Sequence, residues 1–395
     1  MARTIGTQVR GVRAPIVKEG DNIVDVVVNS IMNSTKEEGY SLKDMDVIGV
    51  TESLVARAQG NYVTVDQIAF DISNKFKGDI GLVFPILSRN RFSIILKAIA
   101  KSGRKIHLLL SYPADEVGNH LMDIDKMDEL NIDPYKDVLT ESDYRRLFGE
   151  EVKHKFTGID YIKMYKSLGV NDNISVYLAN DPRVILKYTK EVLVADIHTR
   201  QRTKRLLKNA GAEVVYGLDD ICTVSIDGSG YNPNYGLLGS NKSTEEKVKL
   251  FPRDCQPVVD KIQRKLKALT GKNVEVMIYG DGAFKDPVGK IWELADPVVS
   301  PGFTSGLHGT PNELKLKYLA DNDLKDLNGE KAIEAMRKKI KNKSSNLVGT
   351  METQGTTPRQ LTDLLGSLCD LTSGSGDKGT PIVLVQGYFD NYATE

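Results

Sequence analysis

Ile23, Val24, Val27, Val28, Ile31 and Met32 recur at helical spacing after the turn Gly20-Asp21, which predicts a helix with Asp21 as its N-cap. The next apolar block, Val47-Ile48-Gly49-Val50, is short and β-branched and predicts a buried strand. It runs into TESLVARAQGNYVTV, where two strands with polar residues between them are expected. From about residue 78 strands alternate with helices. IGLVF is followed by a helix from Ser88 through Ala100, then by strand KIHLLLSY and a charged stretch. Helix DYIKMYKSL, strand ISVYLA, helix DPRVILKYTKEV, strand LVADI and helix QRTKRLLKNAG continue the series. Such interleaving indicates α/β units.

The pattern breaks at DGSGYNPNYGLLGSN (227–241), which has no regular period and reads as a loop. An amphipathic helix follows with Val259, Ile262, Leu266 and Leu269 on one face, stopped by Gly271, and leads into strand NVEVMIYG. The last elements are a basic helix (EKAIEAMRKKIKNK), a helix around LTDLLGSLCDL, the turn SGSGDKG and a closing strand, PIVLVQGY.

Composition narrows the classes. The 395 residues hold 53 Lys plus Arg against 53 Asp plus Glu, so no net charge attracts nucleic acid and any anion must be held locally. The length argues for two or three domains at roughly 100–200 residues each. Cys222, Cys255 and Cys369 show no CxxC spacing, which fits a reducing compartment. The N-terminus lacks a secretory pattern, and no run approaches the ~18 apolar residues that span a bilayer. A cytoplasmic protein is expected, without nucleic-acid or membrane partners.

Chemistry concentrates at a few places. The strand end Gly280-Asp281-Gly282 presents a carboxylate beside backbone that a ligand can approach closely, with Asp286, Glu293 and Asp296 following. Oxygen donors of this kind suit Mg²⁺ or Mn²⁺; the plain alternative is an Asp-Gly turn with solvated acids. The glycines of 227–241, followed by Lys242, could turn N–H groups toward a phosphate, although GxxxxGK[ST] is not met. Arg89 and Arg91 flank a predicted helix start that could seat a phosphate or carboxylate; the alternative is a solvated helix end. The five histidines show no HExxH, no GxSxG elbow is present, and Cys222 lies in an apolar, strand-like stretch where packing is the ordinary role.

In order along the chain, KEGDNIVDVV, DVIGVTESLVARAQGNYV, NYGLLGSN with LFP shortly after, VEVMIYGDG and TPIVLVQG resemble the gamma-glutamyl ligases of the deazaflavin coenzyme F-420 pathway. Those enzymes join L-glutamate to a carboxylated coenzyme precursor using GTP and divalent metal. The resemblance implies an α+β (mixed α/β) fold: a ligase-like N-terminal part (1–76), an inserted α/β region (77–226) and a ligase-like C-terminal part (227–395). It also implies an intertwined homodimer.

Carried onto this chain, the resemblance makes Asp281 a metal ligand, with Glu52 and Asp286 as further candidates. Asn234, Ser240 and Asn241 would line the phosphate or metal site, and Arg57 and Lys242 would contact phosphate. Arg89 and Arg91 are candidates for an acidic substrate without a family motif. GTP or ATP would be the co-substrate, with Mg²⁺ or Mn²⁺ and a monovalent cation as a further candidate. The partners would be L-glutamate, the nucleotide and a small carboxylated acceptor. Three departures stand out: Leu238 where the family usually has Asp, Gly282-Ala283-Phe284-Lys285 after Asp281, and Gln386 where a basic residue is common. The alternatives are a non-catalytic binding protein of the same fold and a Rossmann-like oxidoreductase or transferase. The second lacks a Gly-rich first turn.

Overall fold

The computed structural model describes residues 4–280, 300–353, 359–373 and 377–394, together with the short pair β13 (Phe284–Lys285) and β14 (Trp292–Glu293). Asp281, Gly282 and Asp286 lie outside the described residues. The architecture is mixed α and β, with two main sheets.

The first sheet has five strands in the order β1 (Gln8–Val12), β16 (Ile382–Gln386), β2 (Val47–Thr51), β12 (Glu275–Tyr279) and β15 (Gly302–Phe303). β2 and β12 run parallel, and the other pairs are antiparallel. The apolar runs read from the sequence are continuous because both faces are covered. Ile48, Val50, Val276 and Ile278 pack toward α1 (Ile23–Glu37) and the helix Cys255–Thr270. Val47, Met277 and Tyr279 pack toward the helix Leu361–Ser373. Gly49 has no room for a side chain on that second face, since a Cβ would stand 2.5 Å from Cys369 Sγ.

Several local expectations are corrected. α1 is capped by Asn22, whose side chain accepts from Val24 and Asp25 N–H; Asp21 instead accepts from Lys18 N–H at 2.6 Å. TESLVARA holds no strand beyond Thr51: it becomes α2 (Glu52–Ala58), and the strand β3 (Tyr62–Thr64) follows before α3 (Val65–Lys75). The helix Cys255–Thr270 does stop at Gly271, at φ +70°, but Leu269 is exposed and only Val259, Ile262 and Leu266 of the predicted face are buried.

The second sheet has six strands in the order β6 (Leu139–Thr140), β7 (Ile174–Leu178), β5 (Ile106–Leu110), β4 (Ile80–Val83), β8 (Glu191–Val194) and β9 (Val214–Gly217). All pair in parallel except β6. Taken in chain order, the five parallel strands lie 3-2-1-4-5, a doubly wound sheet whose order reverses between β4 and β8. Its apolar core also draws in α3 and Leu237, Leu238, Val248 and Leu250, so packing crosses positions 76 and 226. The segment read as a helix from Asp181 is a short 3-10 turn, Pro182–Lys187. Cys222 is not in a strand; it sits at positive φ with its N–H on Asp71.

The crevice outside β4 and β8 is where such sheets usually take an anion, but the chain fills the donors there itself. Leu87 N–H donates to Asp115 (2.7 Å), Ser88 N–H to the Tyr165 hydroxyl (2.8 Å), and Asn90 and Arg91 N–H to Ser88 Oγ. Because Ser88 ties down this turn, the helix α4 (Phe92–Lys101) begins four residues later than its sequence implies. No glycine is needed, and these four N–H groups are not left for a pyrophosphate. Across the switch point, Ile197 and His198 N–H donate to Glu116.

Burial outweighs those two hydrogen bonds and pushes the Glu116 carboxyl up to about 7. The folded chain therefore holds a proton that the unfolded chain loses from its ordinary value of 4.5 upward, so stability falls as pH rises through this window and levels off above it. We expect a lower Tm at pH 8 than at pH 5, and a smaller difference in Glu116→Gln. An equal pH dependence in wild type and variant would refute this.

Candidate functional site

β2 and β12 end side by side, with Thr51 opposite Tyr279. From that shared edge the chain turns at Thr51 into α2, and Glu52, its first residue, is buried. Facing this edge is a small three-stranded sheet, β10 (Asn241–Lys242), β11 (Lys247–Lys249) and β3. Lys249 is the register partner of Asn241 on one side and Tyr62 on the other, so the three side chains share a face. Lys249 is 9% exposed, its ammonium donates to Ser53 Oγ, and it lies 3.5 Å from Glu52 Oε2.

The glycine-rich loop reaches this place because asparagines pin it. Asn232 accepts from Asn234 and Tyr235 N–H and donates to the Phe251 and Pro252 carbonyls. Asn61, at the start of β3, accepts from Tyr231 N–H and donates to Phe251 O at 2.8 Å. Gly236 is required by sterics: its φ is +52°, and a Cβ would lie 2.5 Å from Ile221 O. The loop ends at Ser240, 4% exposed, whose hydroxyl has no hydrogen-bond partner among the described residues. Ser240 lines a cavity of about 30 Å³ with Arg91, Ile86, Ala195, Ile197 and Leu238. The small sheet thus links the first sheet, through Lys249 to Ser53 and Glu52, with the doubly wound sheet, through Lys242 N–H on Asn90 O and the cavity shared by Ser240 and Arg91.

The other sequence candidates lie around this cluster. Arg57 is exposed on α2, and Asn234 is exposed in the loop. Lys242 is exposed and ion-paired with Glu245, while its N–H donates to Asn90 O at 2.9 Å. Arg89 is exposed and Arg91 half-buried. Asp281, two residues beyond Tyr279, and Asp286 fall outside the described residues. Lys249 and Ser53 were not singled out by sequence reasoning: KVKLF places Lys249 on the same strand face as exposed Lys247, and nothing local separates them. The thiols are packing groups, as expected, with burial pushing Cys255 and Cys369 up to about 12 and Cys222 higher still.

Residues 11–387 match the family described as F420-0:Gamma-glutamyl ligase. The chain belongs to that family. The match runs through the doubly wound sheet as well as the first sheet. No curated protein matches the chain.

As a member of a ligase family, the chain shows two departures with clear physical meaning. Leu238 is 2% exposed and packs in the core of the doubly wound sheet, so the loop offers apolar surface where a carboxylate was expected. Gln386 is at the opposite end of the first sheet from Glu52. There it accepts from Arg10 (2.6 Å) and donates to Asp46 (2.6 Å) and Ser41 O, a packing role remote from the cluster. For a divalent cation, the cluster's described side chains supply one carboxylate, Glu52, already beside an ammonium. Among the described residues no group of three acidic, His or Cys side chains could hold a metal. The described set alone does not fit a Mg²⁺ or Mn²⁺ site. No helix among the described residues is long and apolar enough to cross a membrane.

Proposed function

We propose that the chain is a nucleotide-dependent amide ligase that adds an amino acid, L-glutamate, to a carboxylated small-molecule acceptor with GTP or ATP as co-substrate. The family match over 11–387 carries this reading. The register of Asn241 with Lys249, whose ammonium lies 3.5 Å from the buried Glu52, supports it. A carboxylate is a poor acyl donor. One of its oxygens attacks the terminal phosphorus, the bond to the bridging oxygen breaks, and nucleoside diphosphate leaves. The glutamate amine then attacks the acyl phosphate carbonyl, inorganic phosphate leaves with the C–O electron pair, and the amine gives up a proton. Both steps gather negative charge on phosphate oxygens, and fixed donors lower the barrier by meeting it.

Asn241 and Ser240 would contribute N–H and O–H donors to those oxygens. Divalent metal remains part of the proposal through Asp281 and Asp286, and the homodimer and cytoplasmic location belong to the same reading. The test is to incubate the protein with GTP or ATP, Mg²⁺ or Mn²⁺, labelled glutamate and folate-like or deazaflavin-like acceptors. Phosphate release should require both glutamate and an acceptor. No acceptor-dependent release across that panel would sink the reading. The apolar burial of Leu238 favours a second reading, a binding protein without catalysis; calorimetry showing nucleotide binding indifferent to metal and to Asp281→Asn would support it.

A further inference from the structure

We propose that Lys249 is the cation that receives the co-substrate's phosphate chain, with Ser53 and Glu52 holding its ammonium ready. The identity of the anion rests on the ligase reading above; the existence of an anion seat does not.

Lysine is almost never buried unless paired, and here the pairing is partial. An ammonium has three donors. Ser53 Oγ takes one; Glu52 Oε2, at 3.5 Å, is an ionic contact rather than a short hydrogen bond. No other acceptor for Lys249 is present among the described residues. The neighbour on the same side is suited to an acceptor-only ligand. Asn241, directly across the ladder, carries an amide NH₂ on the same face as Lys249. A phosphate has oxygens for both the Lys249 ammonium and the Asn241 amide.

The competing cations are worse placed. Lys242 points its charge at Glu245 in solvent, and Arg57 is exposed on α2, where water and salt weaken any attraction. An ammonium fixed in a water-poor corner acts on phosphate oxygens far more strongly.

The experiment is calorimetry with inorganic tripolyphosphate on the full chain, in chelator and at fixed ionic strength, beside thermal melts. Wild type should bind. Lys249→Met should bind about tenfold more weakly or worse and melt lower, because it strands Glu52. The double variant Glu52→Gln with Lys249→Met should recover Tm while binding stays weak, and Lys249→Arg should keep part of the binding. Wild type failing to bind, or binding returning together with Tm in the double variant, would overturn the assignment and make Lys249 a purely structural ion-pair partner. No acceptor or turnover enters this measurement. A failed ligase assay beside the expected binding pattern would therefore remove the ligase reading and leave the anion seat standing.

Discussion

Glu52→Gln is expected to cut acceptor-dependent phosphate release by about 10²- to 10³-fold in kcat, the usual cost of removing one preorganised electrostatic group from a transition state. Glu52 is the first residue after the parallel strand β2, 5% exposed at its side chain, and the only carboxylate in contact with Lys249 among the described residues. Gln keeps the shape and loses the charge, so the side chain still packs while Lys249 loses its ionic partner. Leaving a buried charge alone typically costs about 3–5 kcal/mol. The variant should therefore also melt lower, and kinetics must be measured at a temperature where it is folded. Wild-type kcat in a folded variant would place Glu52 outside the machinery. A large drop in kcat with little change in nucleotide KM is the split expected of a group that acts in the transition state and not on the base.

What the sequence made legible follows from what repeats locally. The runs VIGV, EVMIY and IVLVQ are buried at every position and almost wholly apolar because helices cover both faces of the first sheet, and runs of that kind are readable as buried strands. The strand and helix alternation from 78 onward likewise exposed α/β units without a glycine-rich first turn, though not the doubly wound order of their strands. What stood in place of that turn was not readable: Asp115 and Tyr165 lie 28 and 77 residues from the N–H groups they satisfy. Helix starts slipped for the same reason. Asn22 rather than Asp21 caps α1 because Asp21 is drawn back to Lys18, a choice between two good caps that tertiary geometry decides.

The site was half legible. The density of glycine marked the loop 227–241, whereas Ser240, Asn241 and Glu52 were named only through the family resemblance. Lys249 was hidden because its meaning comes from Ser53, 196 residues away, and from the register with Asn241. Charge at a strand position reads as solvated unless the partner across the fold is known. The reverse holds for Gln386, which looked like a change of substrate chemistry. It is a tie between Arg10 and Asp46, whose carboxyl burial pushes upward despite the Gln386 hydrogen bond.

Leu238→Asp is expected to destabilise the chain by about 3–5 kcal/mol rather than to restore a metal ligand. Position 238 is 2% exposed and belongs to the same apolar core as Ile86, Ala195 and Ile197, so a carboxylate there must either desolvate its charge or stay protonated. Its pKa would be raised in the folded state, and the penalty should therefore grow between pH 5 and pH 8. Arg91 lines the same cavity. Urea denaturation at both pH values measures the cost, and repeating it with millimolar Mn²⁺ tests for a metal. If Mn²⁺ returned the variant to wild-type stability in a concentration-dependent way, position 238 would face the cation site after all, and the apolar packing of this loop would not be what separates the chain from a metal-rich relative. If Mn²⁺ changes nothing, position 238 is a packing position, and the proposed metal is left to Asp281 and Asp286 as the proposed phosphate cation is to Lys249.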